Sequence, residues 1–181
     1  MSKTEQQFDQ VIAVCKDMFV KKSSDYGPSW RVLRPTSVTD QMYIKVKRIR
    51  TLETTGTAMV NEGVVPEYIA IVNYGLMGVI QVRNGYSDDV DMDSSRALEL
   101  YETCAAEAKQ LMCAKNHDYG EAWRTMRVSS ITDLILAKIN RTKEMEDNGG
   151  KTLVSEGIDA NYLDMVNYAI FALIRLTLPN E

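Results

Sequence analysis

Histidine is nearly missing from this sequence: His117 is the only one, and the first half of the chain has none. No serine–histidine or cysteine–histidine pairing recurs, which argues against a hydrolytic triad. Cysteine is scarce too. Cys15, Cys104 and Cys113 are an odd number without metal-ligand spacing, and each lies in a helix-like apolar pattern. They read as buried, reduced thiols. An excess of basic charge is also lacking. Lys and Arg number 21 against 25 Asp and Glu, a net charge of -4. That excludes bulk attraction to duplex DNA or an anionic membrane, so any phosphate site must be local. The most apolar stretch, Tyr168 to Leu178, is too short to span a bilayer and contains Arg175. The opening Met1-Ser2-Lys3-Thr4-Glu5 has no apolar signal core, so the expected compartment is the cytoplasm. No run alternates long enough to argue for a strand.

What the chain does contain is a duplication. Lys22-Ser-Ser-Asp25-Tyr26-Gly27-Pro-Ser-Trp30-Arg31-Val-Leu-Arg34 recurs as Lys115-Asn-His-Asp118-Tyr119-Gly120-Glu-Ala-Trp123-Arg124-Thr-Met-Arg127, at an offset of 93 residues. The match continues through Ser37-Val-Thr39-Asp40 and Ser130-Ile-Thr132-Asp133, then Lys45/Lys138 and Arg48/Arg141. After one inserted residue the offset is 94, pairing Glu62-Gly63 with Glu156-Gly157 and Val72-Asn73-Tyr74 with Val166-Asn167-Tyr168.

Each copy reads as three helices. The first runs from about Gln6 to Lys22, with Phe8, Val11, Ile12, Cys15, Met18 and Phe19 at helical spacing, and again from Ser94 to about Lys115. The second starts near Ser37 and Ser130, where Ser-x-x-Asp suggests a capping box. The third runs from Pro66 to about Arg83 and from Asp159 to about Leu178. The expected fold is all-α: a tandem duplication of a three-helix unit forming a pseudo-twofold helical bundle. Residues 1–84 form copy one, 94–181 form copy two, and a short acidic linker spans 85–93. The two copies are expected to share a core as one compact domain.

Polar residues interrupt this pattern on apolar faces. Lys45 falls between Val38, Met42, Ile49 and Leu52, and Lys138 falls among Ile131, Leu134, Ile135 and Met145. Arg48 and Arg141 flank the same stripes. A lysine there needs a carboxylate or an anionic ligand, because an unpaired buried ammonium is costly. Glu62 and Glu156 are the candidate internal partners. Asn73 and Asn167 sit in the middle of a helix that is apolar almost all round. In copy two Asp164, Asn167, Phe171 and Arg175 share a stripe; in copy one its members are Ala70, Asn73, Met77 and Gln81. Asp164 and Asn167, with Glu156 upstream, suit a hard cation such as Mg²⁺. Trp30 and Trp123 either plug the core or stack on a base, and Arg31, Arg34, Arg124 and Arg127 suit a phosphate or carboxylate.

The ordered motifs Lys-x-x-Asp-Tyr-Gly-x-x-Trp-Arg, Ser-x-Thr-Asp, Lys-x-x-Arg, Glu-Gly and Val-Asn-Tyr resemble nucleotide modification associated domain 1, in the tandem form of Bacteroidetes-type bacteria. The resemblance covers about Phe8 to Val82 and Tyr101 to Leu176, and implies a helical domain linked to nucleotide or modified-base metabolism. A more distant similarity is to all-α nucleoside triphosphate pyrophosphohydrolases of the MazG kind, which hold Mg²⁺ with a Glu-x-x-Glu and a Glu-x-x-Asp helix. Tyr162 to Leu173 is similar to the second motif. Lys138-x-x-Arg141, of opposite charge, stands in the place of the first.

Three functional expectations follow. The leading one is binding of a nucleotide or other phosphorylated anion, with Lys45, Arg48, Lys138 and Arg141 at the phosphate, Asn73 and Asn167 orienting, and Trp30, Trp123, Arg31 and Arg124 lining the site. The second is Mg²⁺-dependent nucleotide hydrolysis in copy two through Asp164 and Glu156. The third is a ligand-free scaffold held by internal ion pairs. Further self-association is compatible with all three.

Overall fold

The glycine of the repeated Asp-Tyr-Gly motif sets where the longest helices stop. In the computed structural model, which describes residues 1–56 and 63–179, α1 (Lys3–Tyr26) and α4 (Ser94–Tyr119) run through the Asp-Tyr pair and end at Gly27 and Gly120. Their φ values of +68° and +66° are ones that L side chains resist. Both helices therefore extend about a turn beyond Lys22 and Lys115. A short 3-10 turn carrying the tryptophan follows in each copy, Ser29–Val32 and Ala122–Arg124.

The second helices, α2 (Pro35–Thr55) and α5 (Val128–Asp147), start before Ser37 and Ser130. The expected Ser-x-x-Asp capping box is thus not formed. The N-caps are Arg34 and Arg127, neither with a side-chain capping bond. Pro35 in the first turn of α2 has no N–H to satisfy. The third helices are α3 (Val65–Asn84) and α6 (Ile158–Thr177).

These helices form three layers. α3 and α6 pack on each other in the middle, α2 and α5 cover one side as a touching pair, and α1 and α4 cover the other. The layers pair α1 with α4, α2 with α5 and α3 with α6, the arrangement of a pseudo-twofold duplication. Among the described residues there is no strand, and buried side chains from all six helices belong to one apolar cluster. α3 is long and apolar enough to cross a membrane by length and composition, but most of it is buried at the centre of this cluster.

Two features join the copies at the centre. A Cβ on Gly75 would lie 2.5 Å from Val166 Cγ2, and one on Gly78 would lie 2.8 Å from the Tyr162 ring, so the small residues let α3 and α6 approach closely. Beside this crossing, Tyr68 Oη lies 2.5 Å from Thr132 Oγ1, which donates to Glu53 at 3.1 Å. The same arrangement recurs with the copies exchanged: Tyr162 Oη lies 2.5 Å from Thr39 Oγ1, which contacts Glu146 at 2.7 Å. Thr39 and Thr132, from the motif read as a cap, thus bind the copies together. Burial pushes the Tyr68 hydroxyl up to about 12 and raises that of Tyr162 further, so both hydroxyls remain protonated donors at neutral pH.

Candidate anion-binding site

Both lysines placed on apolar faces by the sequence meet carboxylates, and in copy two the partner is Asp164 instead of the expected Glu156. Lys138 Nζ lies 3.0 Å from Asp164 Oδ2, and Lys115 Nζ lies 2.7 Å from Asp164 Oδ1. Glu156, the candidate partner, is exposed in the loop before α6. In copy one Lys45 faces Glu67 at 3.5 Å and Arg48 donates to it at 2.9 Å. Glu62 lies outside the described residues. Arg141 is exposed, and Arg48 is half-buried.

Among the described residues the two copies therefore carry one buried carboxylate each, at different heights on the third helix. Copy one has Glu67 and Ala70; at the offset of 94, copy two has Asn161 and Asp164. Moving the acid by three residues shifts it about 4.5 Å along the helix axis. In copy two it sits between both lysines. In copy one it sits by Lys45 and Arg48, and Lys22, the equivalent of Lys115, has no carboxylate partner among the described residues. Burial pulls the Lys115 ammonium down, but the hydrogen bond and charge of Asp164, aided by Tyr168 and Glu156, carry it above its ordinary value.

Copy one holds a cavity of about 570 Å³ beside these groups, with Lys22, Lys45, Glu67, Ala70, Trp30 and Tyr74 among its lining. Among the described residues two buried polar atoms of that lining have no hydrogen-bond partner: Trp30 Nε1, like its equivalent Trp123 Nε1 in copy two, and Glu67 Oε2, which faces Lys45 at 3.5 Å. Tyr26 also faces the cavity. Burial raises the Tyr26 and Tyr74 hydroxyls, which keeps them neutral. In copy two, Phe171 replaces Met77 and stacks on Trp123 with centroids 4.3 Å apart and planes 4° from parallel. Trp30 instead meets Phe19 at 6.2 Å, tilted by 51°.

The arginines after the tryptophans are engaged inside the protein. Arg31 is buried, pairs with Asp91 at 2.9 and 3.1 Å, donates to Gly85 O at 2.7 Å and also bonds Gln81. It fastens the acidic linker to the 3-10 turn, and its hydrogen bond holds the Asp91 carboxyl below the usual range. Arg124 donates to Glu121, Thr4 and Gln7 at 2.6–2.8 Å and lies 4.3 Å from the Trp123 ring centroid. Gln81 and Arg175, equivalents in α3 and α6, each donate to backbone carbonyls of the tryptophan turn.

The asparagines tie the first helix of each copy to the third. Asn73 Nδ2 donates to Cys15 O at 3.0 Å, and Asn167 Nδ2 donates to the equivalent Ala108 O at 3.0 Å. Tyr101 completes Asn73 by donating to its Oδ1 at 2.7 Å. The residue equivalent to Tyr101 is Phe8, and Asn167 Oδ1 is buried without a hydrogen-bond partner among the described residues. Asn73 also borders the cavity. Cys15 and Cys104 are buried free thiols and Cys113 is half-buried; burial pushes Cys15 up to about 12.

These contacts do not suit a Mg²⁺ site. Both oxygens of Asp164 face ammonium groups, Asn167 bonds a backbone carbonyl, and no group of three metal-ligating side chains occurs among the described residues. A hard cation needs several free oxygens. Sequence patterning does not single out Lys22 and Lys115 as site members, although both open the repeated motif. Nor does it select Glu67, which has no acidic equivalent in copy two.

The family model of nucleotide modification associated domain 1 matches residues 22–82 and 115–176, one segment in each copy. The chain belongs to this family. The two segments run from the first-helix lysine of each copy into its third helix, so the family match spans the tryptophan turn, the basic helix and the buried asparagine twice. No curated protein and no solved structure matches the chain.

Proposed function

We propose that this member of nucleotide modification associated domain 1 binds a phosphorylated nucleoside in the copy-one cavity. The observation that carries the reading is the make-up of the cavity wall. It combines two ammonium groups with tryptophan and tyrosine rings; among the described residues one ammonium group has no carboxylate partner and two buried polar atoms lack hydrogen bonds. Lys22 and Lys45 suit a phosphate, the rings suit a base, and Glu67 Oε2 suits a sugar hydroxyl or exocyclic amine. About 570 Å³ is within the range of small-ligand sites. The family's association with nucleotide modification supports the same class. A net charge of -4 disfavours duplex nucleic acid as the ligand. The reduced thiols fit a cytoplasmic setting.

Calorimetric titration with a panel of nucleoside mono-, di- and triphosphates tests the proposal. Saturable binding that weakens about tenfold in Lys22→Met is the expected result, the cost of one charge-assisted contact. Absence of heat and of thermal stabilisation across the whole panel would refute it.

A further inference from the structure

We infer that the Asp164 carboxylate is a built-in substitute for the ligand anion, seated in copy two between Lys115 and Lys138 as a phosphate seats in copy one between Lys22 and Lys45. The copy-one half of this inference rests on the nucleotide-binding proposal; the copy-two half does not.

The duplication supplies the warrant. Lys22 and Lys115 are equivalent, as are Lys45 and Lys138, so one pair of ammonium groups reports on the other. Around Asp164 the pair grips a single oxyanion, one lysine on each oxygen, at 2.7 and 3.0 Å. Carboxylate and phosphate oxygens accept from ammonium groups at the same distances, so a site that holds one can hold the other. Copy one has Ala70 where Asp164 stands, and both lysines line the cavity beside it.

Two further exchanges agree. Glu67, the copy-one acid, is set back one turn by Lys45 and Arg48, where copy two has neutral Asn161. The acid that would compete with a ligand phosphate at Lys22 is thereby moved away. Met77 becomes Phe171, whose ring stacks on Trp123 at 4.3 Å. An aromatic side chain thus stacks on the indole in copy two, whereas Trp30, buried to the same degree, borders the copy-one cavity. Copy two is filled by its own side chains at both the anion and the ring position. The chain accordingly has one external site, and its twin is closed by Asp164 and Phe171.

The test exchanges these residues between copies. Asp164→Ala with Phe171→Met gives copy two the copy-one residues. Thermal melts in inorganic phosphate, against sodium chloride of equal ionic strength, should show a larger phosphate-dependent rise for this variant than for wild type. Titration with a nucleotide that binds wild type should find the stoichiometry rising from one to two. In the reverse exchange, Glu67→Asn with Ala70→Asp should lower nucleotide affinity at least tenfold below that of Glu67→Asn with Ala70→Asn, which has the same size without the charge.

A folded copy-two variant with no extra phosphate response overturns the inference, as does full nucleotide affinity in Glu67→Asn/Ala70→Asp. If the copy-two variant does not fold, Asp164→Ala alone, refolded in phosphate or in chloride, decides it. Recovery specific to phosphate supports the inference, and equal yields overturn it. Wild type that binds no nucleotide defeats the functional proposal, while the phosphate response of the copy-two variant still decides whether the paired lysines form an anion site.

Discussion

Phe8→Tyr adds one oxygen at a place where the other copy already has it. Tyr101, the equivalent of Phe8, donates to Asn73 Oδ1 at 2.7 Å, and both asparagines make the same Nδ2 bond to the first helix of their copy. Asn167 Oδ1 is buried and has no hydrogen-bond partner among the described residues. A buried carbonyl left without a hydrogen bond costs about 1–3 kcal/mol. The added hydroxyl would offset part of this, less the cost of its own desolvation, so the net gain is about 1 kcal/mol. For a chain of this length that corresponds to a rise in Tm of about 2–4 °C. Urea and thermal unfolding followed by circular dichroism would measure it. Tyr101→Phe should cause the opposite change, by about 1–2 kcal/mol, because it recreates the copy-two deficit in copy one. Phe8 is 1% exposed, so the added oxygen has no solvent to escape into. A variant less stable than wild type would show that the pseudo-twofold relation does not bring position 8 to Asn167, and the reasoning would fail.

Gly78→Ala should destabilise by about 1–2 kcal/mol in urea unfolding, although alanine is the better helix former. The new Cβ would stand 2.8 Å from the Tyr162 ring, whose hydroxyl is fixed by Thr39 and the Pro35 carbonyl, and overpacking outweighs helix propensity. Burial raises the Glu146 carboxyl above its ordinary 4.5, against the opposing Thr39 hydrogen bond, so folding favours the protonated acid. That contribution is complete below the unfolded value and is lost as pH rises through the folded one. Glu146→Gln should therefore melt higher than wild type at neutral pH, with the difference closing as pH falls toward 4.5; an advantage that persists unchanged at low pH would oppose this. Arg31→Met should cost about 2–4 kcal/mol in denaturant unfolding, because Gln81 and the Gly85 carbonyl lose a buried guanidinium partner. If the variant instead keeps its stability and loses nucleotide affinity, Arg31 belongs to the site.

The duplication and the all-helical fold are legible in the sequence because identities at fixed offsets and a period of 3.6 are properties of the chain itself. So is the oddity of Lys45 and Lys138, since a helical wheel needs no tertiary information. Their partners are not legible. Glu67, Glu156 and Asp164 all lie within reach by sequence, and only the packing of α2 on α3 and of α5 on α6 brings Glu67 to Lys45 and Asp164 to Lys138. Thr39 and Thr132 mislead for a related reason. Ser-x-Thr-Asp is a cap motif when it begins a helix, but Arg34 and Arg127 begin these helices earlier, and the threonines turn toward the other copy. One signal is available: Glu53 and Glu146 match at the offset of 93, and Tyr68 and Tyr162 at 94. A polar trio preserved twice in an apolar setting calls for mutual contact.

The pattern of sameness and difference between the copies separates structure from ligand chemistry. What holds the fold together is kept in both copies: the Tyr–Thr–Glu contacts between copies, and within each copy the asparagine bond to the first helix and the side chain that fastens the tryptophan turn. Among the positions that differ, three lie on the third helix beside the paired lysines and the tryptophan: Glu67/Asn161, Ala70/Asp164 and Met77/Phe171. A scaffold needing only ion pairs would have no reason to move its acid by a turn in one copy and fill the opening beside it in the other. With internal pairing alone, the arrangement around Asp164 serves equally well twice. With the acid at Glu67, exposed Lys22 makes no ion pair among the described residues, beside a cavity with an aromatic wall, whereas Lys115 pairs with Asp164. A ligand anion would give Lys22 the partner that Lys115 has.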